Sequence, residues 1–182
     1  MNHVFTLPDL RVALAENSEP TLYRILAEMA DKGTLVKVKR GLYATPEASL
    51  ATISTRIDPD AYLSTGTVLA KKAIIGSIPA RRIQAVKVGR PRTYRCRLGT
   101  IEHLSISPHL HFGYTTLAGE KTATPEKAFL DVCYFTYRGR KFSFDPDTDI
   151  DLSRLNFTVI ERYLKAYDTR FVSFFNSHWR NP

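Results

Sequence analysis

Two short amphipathic helices separated by a brief break, and followed at once by a strand–turn–strand, leave a chain few ways to fold. Residues 6–46 carry that pattern. Thr6 stands where a helix N-cap belongs, with Asp9 three positions on to return its bond, and Leu7, Leu10 and Leu14 share a face. Asn17-Ser18 breaks this helix. Ser18 caps a second one, whose first turn holds Glu19 and Pro20. Leu22, Ile25, Leu26 and Met29 follow the i, i+3, i+4, i+7 rule, and Gly33 supplies the C-terminal cap. Leu35 to Lys39 alternates as a strand, Arg40-Gly41 turns, and Leu42 to Ala44 returns before Pro46 ends the unit. A hairpin this tight calls for positive φ at Gly41. The order predicts a winged helix-turn-helix over residues 1–46, in which the second helix enters the major groove of DNA and the hairpin grips phosphate.

Thr21, Tyr23, Arg24 and Glu28 lie off the apolar stripe of the second helix. Arg24 is the candidate for a bidentate guanine contact, and Thr21 or Tyr23 for a phosphate or a thymine methyl. Lys37, Lys39 and Arg40 fall on the hairpin as phosphate contacts.

The formal net charge of +8 points the same way once it is located. Residues 1–48 hold six basic and six acidic side chains, 145–182 hold five and six, and 49–144 hold fifteen and six. No acidic residue lies between Asp60 and Glu102, whereas Lys71, Lys72, Arg81, Arg82, Lys87, Arg90, Arg92, Arg95 and Arg97 all fall there. Solvated surfaces mix both signs, so a one-signed stretch predicts a polyanion as partner. Arg95 and Arg97 alternate with Tyr94, Cys96 and Leu98, which predicts that the two arginines are exposed together. All of these residues except Lys87 join the candidate DNA contacts.

Residues 47–182 read as a second, basic α+β domain. A short helix turns Leu50, Ile53 and Ile57 inward, Ala61-Tyr62-Leu63 is extended, and a helix from Thr65 or Thr67 carries Lys71 and Lys72. Residues 83–123 predict a β meander: Ile83 to Val88 and Tyr94 to Leu98 around the turn Gly89-Arg90-Pro91-Arg92, then Ile101 to Ile106 and Leu110 to Tyr114. Thr124-Pro125-Glu126 opens a helix to about Tyr137, Asp145 to Asp151 is a loop, and two helices finish the chain.

Other chemistries find little support. Glu126 and Asp131 diverge by about 140° on a helix, too far for a carboxylate pair, and Lys127 is spaced to pair with Asp131. His109 and His111 share a strand face near His103, but no Cys or carboxylate stands at ligand spacing. Asp145, Asp147 and Asp149 begin like a calcium loop, yet Ile150 and Asn156 hold its glycine and glutamate positions. Gly119 to Thr122 looks superficially like a phosphate loop, but Glu120 holds its lysine position and Tyr114 its first-glycine position, and Gly89 to Arg92 resembles the core of a minor-groove hook but sits between strand-like segments. Met1 to Leu10 has no apolar run of signal-peptide length, and Ala128 to Phe135 is short and holds Asp131. Two well-separated cysteines, Cys96 and Cys133, suit a reducing cytoplasm. These readings predict a cytoplasmic binding protein with no cofactor, no metal and no membrane contact, rather than an enzyme.

Three segments make a resemblance more specific. Lys39-Arg40-Gly41-Leu42-Tyr43, Ala61-Tyr62-Leu63-Ser64-Thr65-Gly66 with Val68-Leu69, and Thr122 through Asp131 occur in the order found in the AbiEi family, which this chain resembles over nearly its whole length. Members of that family are the antitoxin and transcriptional-repressor halves of abortive-infection (type IV) toxin–antitoxin operons. The resemblance implies autoregulation through inverted repeats of double-stranded DNA in the operon's promoter, with two copies on one operator. It also implies an antitoxin role opposing a nucleotidyltransferase-like toxin. Family members carry a helix ahead of the one at Thr6, where here only five residues stand. The competing expectations are an RNA-binding module built on the basic second domain and a nuclease-like enzyme.

Overall fold

The computed structural model describes residues 3–180. Its chain begins with β1 (Val4–Thr6), α1 (Leu7–Ala13), α2 (Glu19–Asp31), β2 (Val36–Lys39) and β3 (Leu42–Ala44). Thr6 and Asp9 form the reciprocal cap: the Thr6 N–H donates to Asp9 Oδ2 at 2.7 Å, and the Asp9 N–H to Thr6 Oγ1 at 3.4 Å. Ser18 precedes α2 as expected, but its side chain caps no backbone N–H and instead accepts from Thr21 Oγ1 at 3.0 Å. Gly33 has φ +74° beyond α2, where the Thr34 N–H folds back to the Met29 carbonyl. Gly41 also has φ +74°, as the hairpin required. Strand β1 was not foreseen, because three residues are too few to display an alternation. It pairs antiparallel with β3, giving the sheet order β1-β3-β2. Leu10, Leu22, Leu26, Leu35 and Tyr43 are buried together between these helices and the sheet.

The rest of the chain adds α3 (Leu50–Ile57), β4 (Tyr62–Leu63), α4 (Gly66–Lys71), β5 (Arg82–Val88), β6 (Arg92–Cys96), β7 (Gly99–Ile106), β8 (Tyr114–Leu117), β9 (Glu120–Ala123), α5 (Pro125–Tyr137), α6 (Phe157–Leu164) and α7 (Thr169–Phe175). The fold is thus mixed α+β, with two sheets. The second sheet has the order β6-β7-β5-β4-β9-β8, which corrects the expected meander. β5 and β6 are not neighbours. β7 lies between them, parallel to β5 and antiparallel to β6, so Gly89 to Pro91 is a crossover and not a hairpin turn. The hairpin is one step later, at Arg97-Leu98, where Cys96 faces Gly99. Gly99 makes this possible: at φ +151° a Cβ would stand 2.2 Å from the Arg81 carbonyl oxygen. That closeness lets the Thr100 N–H bond the same carbonyl at 2.8 Å and sets the parallel register. The strand expected over Leu110 to Tyr114 is also corrected. Pro108–Leu110 is a 3-10 turn, so His109 and His111 do not alternate on a strand. Residues around Ala118-Gly119, at φ +50° and +81°, form the tight turn between β8 and β9.

Ladder register assigns the two faces of the large sheet. Ile83, Ala85, Tyr94, Ile101 and His103 point one way, and Gln84, Val86, Glu102, Leu104 and Tyr62 the other. The first face is covered by α3 and the small sheet, through a cluster of Val4, Val38, Leu42, Ala44, Ala48, Ile53 and Ile101. Hydrophobic packing therefore runs across residue 46. On the second face, Tyr62 and Ser64 donate to Asp131 Oδ2 of α5 at 3.0 and 2.6 Å. Lys127 donates to Asp131 Oδ1 and to Tyr167 Oη, the latter at 3.1 Å. Burial lowers the pKa of the Lys127 ammonium, while Asp131 opposes that drop. α6, α7 and the helical turn Asn176–Arg180 after them close this side with Ile160, Phe171, Phe175 and Trp179. Among the described residues, no helix is long and apolar enough to cross a membrane.

Candidate nucleic-acid interface

α2 presents the side chains expected of it. Leu22 and Leu26 point into the core, while Tyr23 and Arg24 are exposed and Thr21 is half-buried. Arg24 does not stand free: its guanidinium meets Glu28 Oε1 at 2.5 Å, one helical turn on. Both side chains are more than half exposed, at 66% and 51%, so the pair holds weakly and can open toward a stronger partner. Lys37, Lys39 and Arg40 are exposed on the hairpin, because Val36 and Val38 take the buried positions of β2.

Tertiary packing decides which of the remaining cations join these. β2 lies at the edge of the small sheet and β6 at the edge of the large one, and the two strands pack against each other. Arg92 and Arg95, both exposed on β6, thus come beside the hairpin. They point to opposite faces of the sheet, since Arg92 pairs with His103 and Arg95 with Thr100. Arg90 is exposed on the crossover that leads into β6. Arg97 is exposed but engaged, donating from Nη1 to the Ala30 carbonyl in the last turn of α2 at 3.2 Å. It is therefore a tie between the β6–β7 turn and α2, as well as a positive charge.

Three of the sequence-selected cations, Lys71, Lys72 and Arg82, belong elsewhere, and Arg81 is held at the β6–β7 turn. Lys71 and Lys72 end α4, which packs on β5 and α5, and Arg154 holds the Lys72 and Ala73 carbonyls there. Arg81 donates to the Leu98 carbonyl at 2.9 Å. Arg82 is neutralised by Glu102 at 2.5 Å. Glu102 is what the sequence reading missed, since it bounds the acid-free stretch without any sign that it folds back onto it. It also accepts from Arg140 at 2.7 Å and from Gln84 at 2.9 Å. Burial pushes the Glu102 pKa up, but the hydrogen bonds from Gln84 and Arg82 and the two guanidinium charges outweigh this and hold it low. Lys87 likewise pairs with Asp58. The stretch without acids in sequence is thus partly compensated in space.

Beneath this surface, His103 Nε2 bonds Ser54 Oγ of α3 at 2.9 Å, and its Nδ1 is buried without a partner. Burial drives the imidazole pKa down to about 4 against the pull of Asp58, with Lys87 adding to the drop. Among the described residues, no three His, Cys, Asp or Glu side chains gather as a metal would need. No protein-family model and no curated protein matches the chain.

Proposed function

We propose that residues 1–46 are a winged helix-turn-helix and that the protein is a cytoplasmic, sequence-specific DNA-binding repressor. The observation that carries this is one arrangement: α1 and α2 packed on the antiparallel sheet β1-β3-β2, with Tyr23, Arg24, Lys37, Lys39 and Arg40 all exposed. In such a module the second helix reads bases and the hairpin contacts phosphate. Arg24 is the base-reading residue, its ion pair with Glu28 exchanged for a guanine edge. The autoregulating antitoxin role, the inverted-repeat operator with two copies bound and the nucleotidyltransferase-like toxin rest on the resemblance to the AbiEi family alone.

The test is selection of a duplex from random sequence, followed by titration of wild type and Arg24→Ala. The variant is expected to lose about 1–3 kcal/mol on the selected site and much less on random duplex. Equal losses on both would reduce Arg24 to a phosphate contact. Tighter binding of structured RNA than of any duplex would favour the RNA-binding alternative, and metal-dependent cleavage of the duplex would favour the nuclease.

A further inference from the structure

The carboxyl end of β7 and the end of α5 border a cleft of about 400 Å³. This lies within the range of about 300–1,000 Å³ in which proteins hold small molecules. Pro91, at the end of the Gly89 to Pro91 crossover, forms one wall.

The lining has one sign of charge. Arg138 and Arg140 contribute cations, Ser107 a hydroxyl, and Ile106 and Tyr134 apolar surface, with no carboxylate among the lining residues. Arg138 has no acidic partner among the described residues. Arg140 also lines the cleft, with one Nη given to Glu102. None of these residues belongs to the surface assigned to DNA.

We propose that this cleft binds a small organic anion, with a phosphate or carboxylate head on a flat apolar body. The head sits between the Arg138 and Arg140 guanidinium groups, which match planar or tetrahedral oxyanions with paired donors. Ser107 donates to one of its remaining oxygens, and the body lies on Tyr134 and Ile106. The site stands independently of the DNA-binding reading, since it is measured without DNA.

The experiment titrates the full chain with phenyl phosphate and with benzoate, following chemical shifts by NMR. At least one anion is expected to saturate, with shifts centred on Ser107, Tyr134 and Arg138, and the stronger arm identifies the head group. Phenol and inorganic phosphate, each lacking one half of the probe, should bind at least about ten-fold more weakly. Arg138→Gln alters an exposed side chain and should weaken the probe by about ten-fold or more. Ser107→Ala should weaken it less. The proposal is overturned if neither anion saturates, if phenol binds as well, if the shifts centre elsewhere, or if Arg138→Gln leaves affinity unchanged. Displacement of the probe by duplex DNA from the same resonances would instead assign the cleft to the nucleic-acid surface, and would also overturn it.

Discussion

Lys127 and Asp131 expose no side-chain surface, so neither charge is relieved by water. Their attraction offsets a large desolvation cost, and Tyr62, Ser64 and Tyr167 complete the hydrogen bonding. Removing one partner strands the other. Lys127→Met is expected to lower stability by about 3–5 kcal/mol, measured as the urea midpoint, and a loss below about 1 kcal/mol would show that the pair contributes little. The spacing of the pair was legible, because four residues on a helix bring side chains together. Its burial was not, because Tyr62, Ser64 and Tyr167 arrive from far along the chain. His103 gives the second residue-scale expectation. Burial holds its native pKa at about 4, below an unfolded value of about 6.5. The unfolded chain therefore binds the proton first as the pH falls. This contribution is fully present above pH 6.5 and is lost progressively toward pH 4, amounting to about 3 kcal/mol. Chemical unfolding across that window should show the decline in wild type and a flatter profile in His103→Gln.

At the scale of elements, the hairpin β2–β3 is where sequence and structure agree most closely. Alternation, the Arg40-Gly41 turn and the positive φ of Gly41 are all local, so six or seven residues suffice to announce them. With Lys37, Lys39 and Arg40 all exposed, the DNA-binding reading expects each to meet phosphate. Replacing any one by Ala should lower affinity for every duplex and shrink the slope of log K against log salt by about one unit. An unchanged slope would remove the hairpin from the interface. The β5–β6–β7 segment shows the opposite case. Gly89 to Arg92 has the composition of a hairpin turn, yet the chain there crosses over the end of β7. Strand patterning records which residues alternate, but not which strand lies alongside. That choice depended on Gly99 approaching the carbonyl of Arg81, the residue just before β5, a contact between residues far apart in sequence.

At the scale of the whole molecule, the small sheet is not an isolated layer. One of its faces buries Val4, Val38, Leu42 and Ala44 against α3 and Ile101, and Arg97 ties the β6–β7 turn to α2. Cutting the chain after residue 46 would expose that face. Val4, Val38 and Leu42 would each forgo about 1.5–3 kcal/mol of burial, more in total than a unit this small can spare. Residues 1–46 alone are therefore expected to show no cooperative thermal transition by circular dichroism, whereas the full chain unfolds cooperatively. A sharp transition in the fragment would establish an autonomous unit.

By itself the sequence determined the two N-terminal helices, the reciprocal Thr6–Asp9 cap of the first, the hairpin, α3, α5 and the closing helices. Each of these is specified by residues within a turn or two of one another. It also determined which side chains are cationic. Only the tertiary structure decided the order of the large sheet, the pairing of Arg82 with Glu102 and Lys87 with Asp58, and the packing of β6 against β2. The physical reason is distance along the chain. Charge and periodicity are properties of neighbours in sequence, whereas compensation of a charge and adjacency of strands depend on residues that meet only when the core closes.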